Sequence, residues 1–285
     1  MPVAKLTLLL LLSLIAVLFC TQWYFHLVRQ GRLTRPTLYQ ALVGLVTDFL
    51  DTLGIGSFAI TTSLYRARRT VADENIPGTL NVGHTLPTIV QALIYISVVE
   101  IDTGTLWLLI GASVLGAWLG AGVVTRLPRR KIQIGMGVAL LAAATLIVGG
   151  LLKVFPAGGD LLGLSGQRLA IAFVGNFVFG ALMTIGIGAY APIMIMVSLL
   201  GMNPKAAFPL MMGSCAFLMP VASIRFIRSG KYDVAAAFGL ASAGIVGVLL
   251  AASIVTELSL NAVRWLVVAV VLYTASAMLW SAKKG

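Results

Sequence analysis

Asp48 and Asp51 are the only carboxylates set well inside an apolar segment, and a spacing of i and i+3 puts them on one helical face. An ionised carboxylate in hydrocarbon costs at least ~2.5 kcal/mol on insertion scales, so such residues pair, face a cavity or carry a proton. His84 is the other candidate proton carrier, because imidazole changes charge near physiological pH. It shares a face with Asn81, and Asn81 and Thr85 lie one turn apart, offering an amide and a hydroxyl to one ligand. Ser214 is the hydroxyl available in the corresponding stretch of the second half. Each residue has a plainer structural use: Asp48 paired with an Arg, Asp51 capping a helix, His84, Asn81 and Thr85 cross-linking helices.

A second kind of chemistry comes from backbone. Thr52-Leu-Gly54-Ile-Gly56-Ser57-Phe-Ala59 is echoed by Thr184-Ile-Gly186-Ile-Gly188-Ala-Tyr-Ala191, and 184 − 52 gives an offset of 132. Both copies lie inside long apolar segments, where a Gly-X-Gly break leaves backbone groups that only protein or a water-lined cavity can satisfy. A fresh helix starting after each break has unpaired amides and the positive end of its dipole there. Two such ends facing each other suit a small anion without a buried arginine. Gly54, Gly56, Ser57, Gly186 and Gly188 are therefore candidate substrate contacts. The plainer alternative is that small residues let membrane helices pack closely.

The elements that must hold these residues are membrane segments. Of 285 residues, 59% are hydrophobic and 10% charged, with a mean hydropathy of +1.01. Soluble domains are about a quarter charged, so a soluble class is excluded. The net charge of +11 resides in short loops, which argues against nucleic-acid binding and for a role in orientation. Nine apolar segments are readable, at 6–25, 38–64, 77–98, 104–125, 132–152, 169–200, 206–227, 234–256 and 262–282. The first reads as an uncleaved helix: no small-residue cleavage site follows it, and a bulky Phe19 precedes Cys20. Cys20 and Cys215 both fall in apolar segments and read as free thiols.

Charge decides between topologies. If all nine segments cross, the basic loops at 29–35 and 66–69 face opposite sides. If the two Gly-X-Gly segments enter and leave by one face, the basic residues at 29–35, 66–69, 126–131, 225–231 and 283–284 all become cytoplasmic. That is fifteen of the twenty Lys and Arg; Lys5, Lys153, Arg168, Lys205 and Arg264 lie outside with Glu100, Asp102, Asp160 and Glu257. The positive-inside bias selects this re-entrant arrangement.

Each repeat then holds one re-entrant hairpin and three spans, an odd number, so the second copy is inverted. The repeat continues beyond the glycines: Pro77 aligns with Pro209, Ile101-Asp102 with Tyr232-Asp233, Gly116 with Gly247, and Val124-Thr125 with Val255-Thr256. The expected fold is an all-α polytopic membrane protein. An N-terminal transmembrane helix and linker (1–37) precede repeat one (38–152), an inter-repeat linker (153–168) and repeat two (169–285). It has seven spans and two hairpins, an outside N-terminus and a cytoplasmic C-terminus. Pro77 and Pro209 suit helix starts, while Pro87 and Pro220 interrupt spans. The acids have no partners in repeat two, where Gly180 and Met183 stand at the matching places.

The runs Asp51-Thr-Leu-Gly-Ile-Gly-Ser-Phe and Ile76-Pro-Gly-Thr-Leu-Asn-Val-Gly-His84 resemble the sulfite exporter TauE/SafE family of bacterial permeases, over roughly residues 38–282. The resemblance implies a secondary transporter in the bacterial cytoplasmic membrane for a small sulfur-containing anion such as sulfite, a sulfonate or sulfoacetate. Many members have a longer glycine run followed by proline; here Ser57 and Phe58 replace glycines, and Ala59 stands where Pro192 stands in the second copy. The expected direction is export, with protons or another ion as coupling partner and Asp48, Asp51 and His84 as proton-coupling candidates. The expected partners are the anion, the bilayer and, as an open option, further copies of the chain.

The rival classes fare worse on the residues. An intramembrane aspartyl protease needs two carboxylates brought together, usually from different helices, whereas Asp48 and Asp51 share one. No metal-ligand cluster, Ser/His/Asp arrangement or cofactor motif is present, so no catalysis, metal or cofactor is expected. The remaining alternatives are a non-transporting membrane helper and a passive anion channel. Arg225 and Arg228 read as snorkelling residues.

Overall fold

The computed structural model describes residues 3–155, 158–254 and 261–284. Among them are only helices, apart from one isolated bridge between Leu161 and Met202. In chain order these are α1 (Val3–Arg29), α2 (Leu38–Thr52), α3 (Phe58–Arg68), a 3-10 turn at Asp73–Asn75, α4 (Ile76–Gly83), α5 (Thr85–Val98), α6 (Thr103–Val124), α7 (Arg129–Leu151), α8 (Gly166–Met183), α9 (Tyr190–Leu199), α10 (Pro204–Ser229), α11 (Val234–Ile254) and α12 (Asn261–Lys284). The expected repeat pair Val255-Thr256 and the acid Glu257 lie outside the described residues, as do the side chains of Arg264 and Lys284.

Local sequence accounts for the boundaries. Thr37 and Gln40 form a reciprocal capping box at the start of α2, with bonds of 3.3 and 2.9 Å. Asp102 caps α6 through the Thr105 amide at 2.7 Å, and Asn203 caps α10 through the Lys205 amide at 2.9 Å. Helix α10 therefore begins at Pro204, and Pro209, expected near a helix start, sits inside it with Pro220. Pro77 does occupy the first turn of α4.

Six of the described helices are long and apolar enough to cross a membrane: α1, α6, α7, α8, α10 and α11. The seven expected spans included 77–98 and 262–282, with 169–200 folded back. The 77–98 segment is divided in two at His84 because Pro87 has no N–H for the Gly83 carbonyl one turn earlier. Helix α8, expected to be one limb of a hairpin, is among the six.

Helix α10 forms the centre, burying Met211, Met212, Cys215 and Phe226 among others. Around it the two halves exchange partners: α2 packs on α11, α8 on α6, and α7 on α12. Glycines set two of these crossings. A Cβ on Gly44 would lie 2.7 Å from the Leu240 Cα, and one on Gly180 would run into the Ser113 carbonyl. Such approaches suit membrane helices, whose association depends on van der Waals contact rather than on escape from water.

Contacts at the element ends define the paths. The Tyr39 hydroxyl at the start of α2 donates to the Leu64 carbonyl near the end of α3 (2.7 Å), and the Arg68 guanidinium lies 4.4 Å over the Tyr39 ring. Arg168 at the start of α8 lies against Gly201 just past α9. Basic ends also gather. Arg66 pairs with Asp73 and donates to the Ala277 carbonyl (3.2 Å) and Ser281 hydroxyl (2.7 Å) of α12, while Arg129 at the start of α7 reaches Glu74 at 3.5 Å. Lys5 sits instead beside the end of α5, donating to the Ser97 and Val99 carbonyls at 3.1 Å each.

Asp73 is the hub of the basic cluster. Burial would raise its carboxyl, but hydrogen bonds from Arg66 and Gln133 and the charges of Arg66 and Arg129 outweigh burial and hold it below the usual carboxylate range. A carboxyl lowered by folding adds stability above its unfolded pKa of about 3.9 and loses it as pH falls through the lower folded value. Asp73→Asn is expected to lower the Tm at neutral pH and to flatten its fall below about pH 4. An acid limb identical to the parent's would contradict the clamp. Separately, Gly180→Val is expected to destabilise by about 1–3 kcal/mol or more through overpacking against Ser113, read as a Tm loss in detergent. An unchanged Tm would show that the α6–α8 crossing has room to give.

Candidate functional site

Both glycine breaks are breaks. Helix α2 ends at Thr52, and Gly54 and Gly56 take φ of 80° and 92° before α3 starts at Phe58. Helix α8 ends at Met183, Gly186 takes a φ of 104°, and α9 starts at Tyr190. Gly54 and Gly186 hold left-handed conformations that favour glycine; Gly188 does not, so the copies differ. Ser57 stands at the N-cap of α3 and Ala189 at that of α9, and neither makes a side-chain capping bond. The first amides of both helices are thus left to backbone or ligand.

The two breaks meet at one cavity of about 620 Å³, lined by Gly56, Phe58, Gly188 and Tyr190 with aliphatic residues of α7, α8 and α9. A Cβ on Gly188 would lie 3.8 Å from that of Phe58. Its lining includes no charged side chain and is almost wholly apolar, with the glycine backbone of both breaks on its wall. A neighbouring space of about 420 Å³ is lined by Gly54, Tyr190, Lys153 and Phe155 among others.

Behind the first break is a buried polar network. His84 Nδ1 lies 2.8 and 3.0 Å from the two carboxylate oxygens of Asp48, and Nε2 lies 3.1 Å from the Thr61 hydroxyl. All three side chains are fully buried. When the ring is neutral, Nδ1–H donates to Asp48 and Nε2 accepts from Thr61; when it is charged, Nε2 donates and the hydroxyl must turn. His84 therefore joins α2 to the first turn of α3, and the Phe58 ring lies 5.7 Å from its centroid. The Asp48 carboxylate lodges against Gly244 of α11, where any Cβ would collide with it.

Asp51 belongs to a second branch. Gln91 donates to Asp51 Oδ2 at 3.1 Å and to the Thr52 hydroxyl at 2.9 Å, and its carbonyl oxygen accepts from the Tyr190 hydroxyl at 2.9 Å. Tyr190 also touches the Met212 sulfur. Asp51 Oδ1 is buried without a hydrogen-bond partner. Gln91 thus ties the acid before the first break to the residue that opens the helix after the second.

The remaining candidates stand apart from this network. Asn81 donates to the Pro77 carbonyl at 2.8 Å and, at 3.5 Å, to the Met183 carbonyl just before the second break; its Oδ1 is buried and unpartnered. The Thr85 hydroxyl bonds the Asn81 carbonyl (2.6 Å) and Ser223 (3.2 Å), and Ser214 accepts from Asn176 at 2.9 Å. As placed, Thr85 and Ser214 link helices. Ser57 and the glycines lie at the breaks, apart from them. Asp48 pairs with a histidine, and no arginine approaches it among the described residues.

Sequence reasoning passed over Gln91, Tyr190, Thr61 and Gly244. Tyr190 had a signal, as the residue matching Phe58 by the 132 offset. Gln91 had one too, as an uncompensated amide in an apolar span. Thr61 and Gly244 become legible only through contacts between distant segments.

Residues 2–147 match a family model described as sulfite exporter TauE/SafE. The matched region takes in α1 and stops within α7, where the motif resemblance ran from 38 to 282. No curated protein and no solved structure matches.

The buried pair makes a coupling prediction. Removing one partner of such a pair typically costs about 3–5 kcal/mol, whereas replacing both is much milder. Asp48→Leu and His84→Leu are each expected to lower the Tm strongly, with the double substitution recovering part of the loss. Strictly additive losses in this double-mutant cycle would show the two side chains to be independent.

Proposed function

This chain belongs to the sulfite exporter TauE/SafE family, and we propose that it is a secondary carrier for a small sulfur-containing oxyanion. It is a multi-pass membrane transporter; substrate, direction and coupling are the proposed part. The observation that carries the proposal is the meeting of two glycine-broken segments, one from each half, at a shared cavity with two helix starts whose own N-cap residues make no side-chain capping bond. Unpaired amides and positive dipole ends are what an anion in a dry interior requires. The cavity falls within the ~300–1,000 Å³ typical of small-molecule sites, which suits an organosulfonate as well as sulfite.

Inverted halves support alternating access. The start of α2 lies beside the end of α3, and the start of α8 beside the end of α9, so each pair is a hairpin returning to its own end. The first hairpin returns among the arginines, the second beside the Leu161–Met202 bridge. We assign the arginine-rich end, with the C-terminus, to the cytoplasm and the N-terminus to the outside, in a bacterial cytoplasmic membrane. Gly54, Gly56, Ser57, Gly186 and Gly188 form the anion cradle. Asn81 adds an amide at its edge, with Thr85 and Ser214 supporting the helices around it.

Coupling falls to Asp48, His84 and Asp51. A proton arriving on His84 turns the Thr61 hydroxyl, one turn into α3, so protonation is felt by the helix whose amides face the anion. Asp51 is linked through Gln91 to the opposite helix start. Export of the anion, exchanged against or together with protons, is the direction proposed.

The test is a thermal-shift series with sulfite, thiosulfate, sulfate, sulfoacetate and short sulfonates, in which a ligand of the native state raises the Tm with concentration. Gly188 has an ordinary backbone and free space beside it, so Gly188→Leu should fold and weaken the shift about tenfold or more. The reading fails if no anion shifts the parent protein, or if Gly188→Leu binds as the parent does. Proteoliposome uptake with and without a pH gradient then separates a coupled carrier from a passive channel.

A further inference from the structure

The arginine-rich end contains a further cavity, of about 510 Å³, that the carrier reading leaves unused. It lies between the end of α3, the turn at Asp73, the start of α7 and the last turns of α12. Its lining carries three guanidiniums, Arg66, Arg69 and Arg129, against one carboxylate, Asp73. Arg66 is fully committed to Asp73 and α12. Arg69 has no ion pair among the described residues and caps α3 in a left-handed conformation, φ 51°. Arg129 is largely exposed and holds its acidic neighbours only at 3.5 and 3.6 Å. The other wall is Tyr273 and Trp280 of α12, both exposed on the outer surface of the bundle.

We propose that this cavity binds a phosphate-bearing anion, of the kind that a phospholipid headgroup or free phosphate presents. Two loosely held guanidiniums beside a fixed one provide charge-assisted and bidentate donors for phosphate oxygens. Basic pockets between membrane helices at the cytoplasmic side are where anionic headgroups are held. The aromatic wall favours the lipid source, because Trp and Tyr belong at headgroup depth and an acyl chain could continue past Tyr273 along α12. Occupancy would join α3, α7 and α12, and α3 is the helix whose other end opens at the first glycine break. The site stands whether or not the cavity at the breaks carries an anion.

The experiment measures Tm in neutral detergent with added phosphatidylglycerol against phosphatidylcholine, and with inorganic phosphate against chloride at equal ionic strength. Three chains are compared: the parent, Arg69→Gln with Arg129→Gln, and Arg68→Gln. The last removes a charge at the same end but outside the cavity, where Arg68 stacks on Tyr39. A stabilisation by phosphatidylglycerol alone, weakened about a hundredfold in apparent affinity by the double substitution at roughly tenfold per guanidinium and kept in Arg68→Gln, establishes a headgroup site. The same pattern with phosphate alone establishes a free-anion site. The proposal is overturned if neither probe stabilises the parent beyond its control, if the double variant responds as the parent does, or if Arg68→Gln loses the response equally. Unliganded Tm and gel filtration of the variants identify any that misfold, and Arg129→Gln alone then carries the comparison.

Discussion

A polar backbone group has no partner in hydrocarbon unless the protein supplies one, and the rest of this structure follows from where the chain violates that constraint. Most helices satisfy it internally. The chain departs from it at the two glycine breaks and at His84, where Pro87 removes a bond. Each departure is enclosed by other elements, with α10 at the centre and the glycine-lined crossings of α2 on α11 and α8 on α6 drawn close around it. Irregular backbone survives at depth only when so enclosed or when it lines a cavity. Here it does both, and a pair of helix starts is left facing a common space.

The segments around the two glycine breaks differ in chemistry. Only the first carries acids before its break, and only the first has its following helix divided, at a histidine that contacts one of those acids. The second supplies instead a glycine, Gly244, that makes room for the Asp48 carboxylate, and a tyrosine that closes the Gln91 bridge. The polar network thus draws on residues from both sides of the two breaks but keeps its acids at the first. Burying a carboxylate–imidazole pair is weak evidence for stability. The arginine cluster lies where α3, α7 and α12 converge.

Much of this could be read from residue order. The 132-residue echo located both breaks, two of the basic loops, at 66–69 and 126–131, meet through Asp73, and the spacing of Asp48, Asp51 and His84 singled out side chains that are fully buried. The residues that sequence did not mark have a physical reason for it. A hydrogen-bond partner such as Thr61 or Gly244 is recognisable only when two segments meet, and nothing in its own neighbourhood marks it. Helix continuity depended on caps: Asn203 starts α10 early enough to carry two prolines within it, whereas Pro87 divides the matching segment. The 18 residues of α8 are long and apolar enough to cross, so apolar length alone could not tell a hairpin limb from a span.

The central claim is that the two breaks, far apart in sequence, meet and enclose the substrate. The Phe58 Cβ and a Cβ built on Gly188 stand 3.8 Å apart, which is about the separation found across disulfides. The direct measurement is disulfide formation between Phe58→Cys and Gly188→Cys, in a chain whose own Cys20 and Cys215 are replaced by serine and alanine, in native membranes under mild oxidation. The account predicts efficient cross-linking that anion binding slows and that, once formed, abolishes anion-dependent thermal stabilisation until reduced. Absence of the cross-link, with a control pair across α2 and α11 reacting normally, would contradict it.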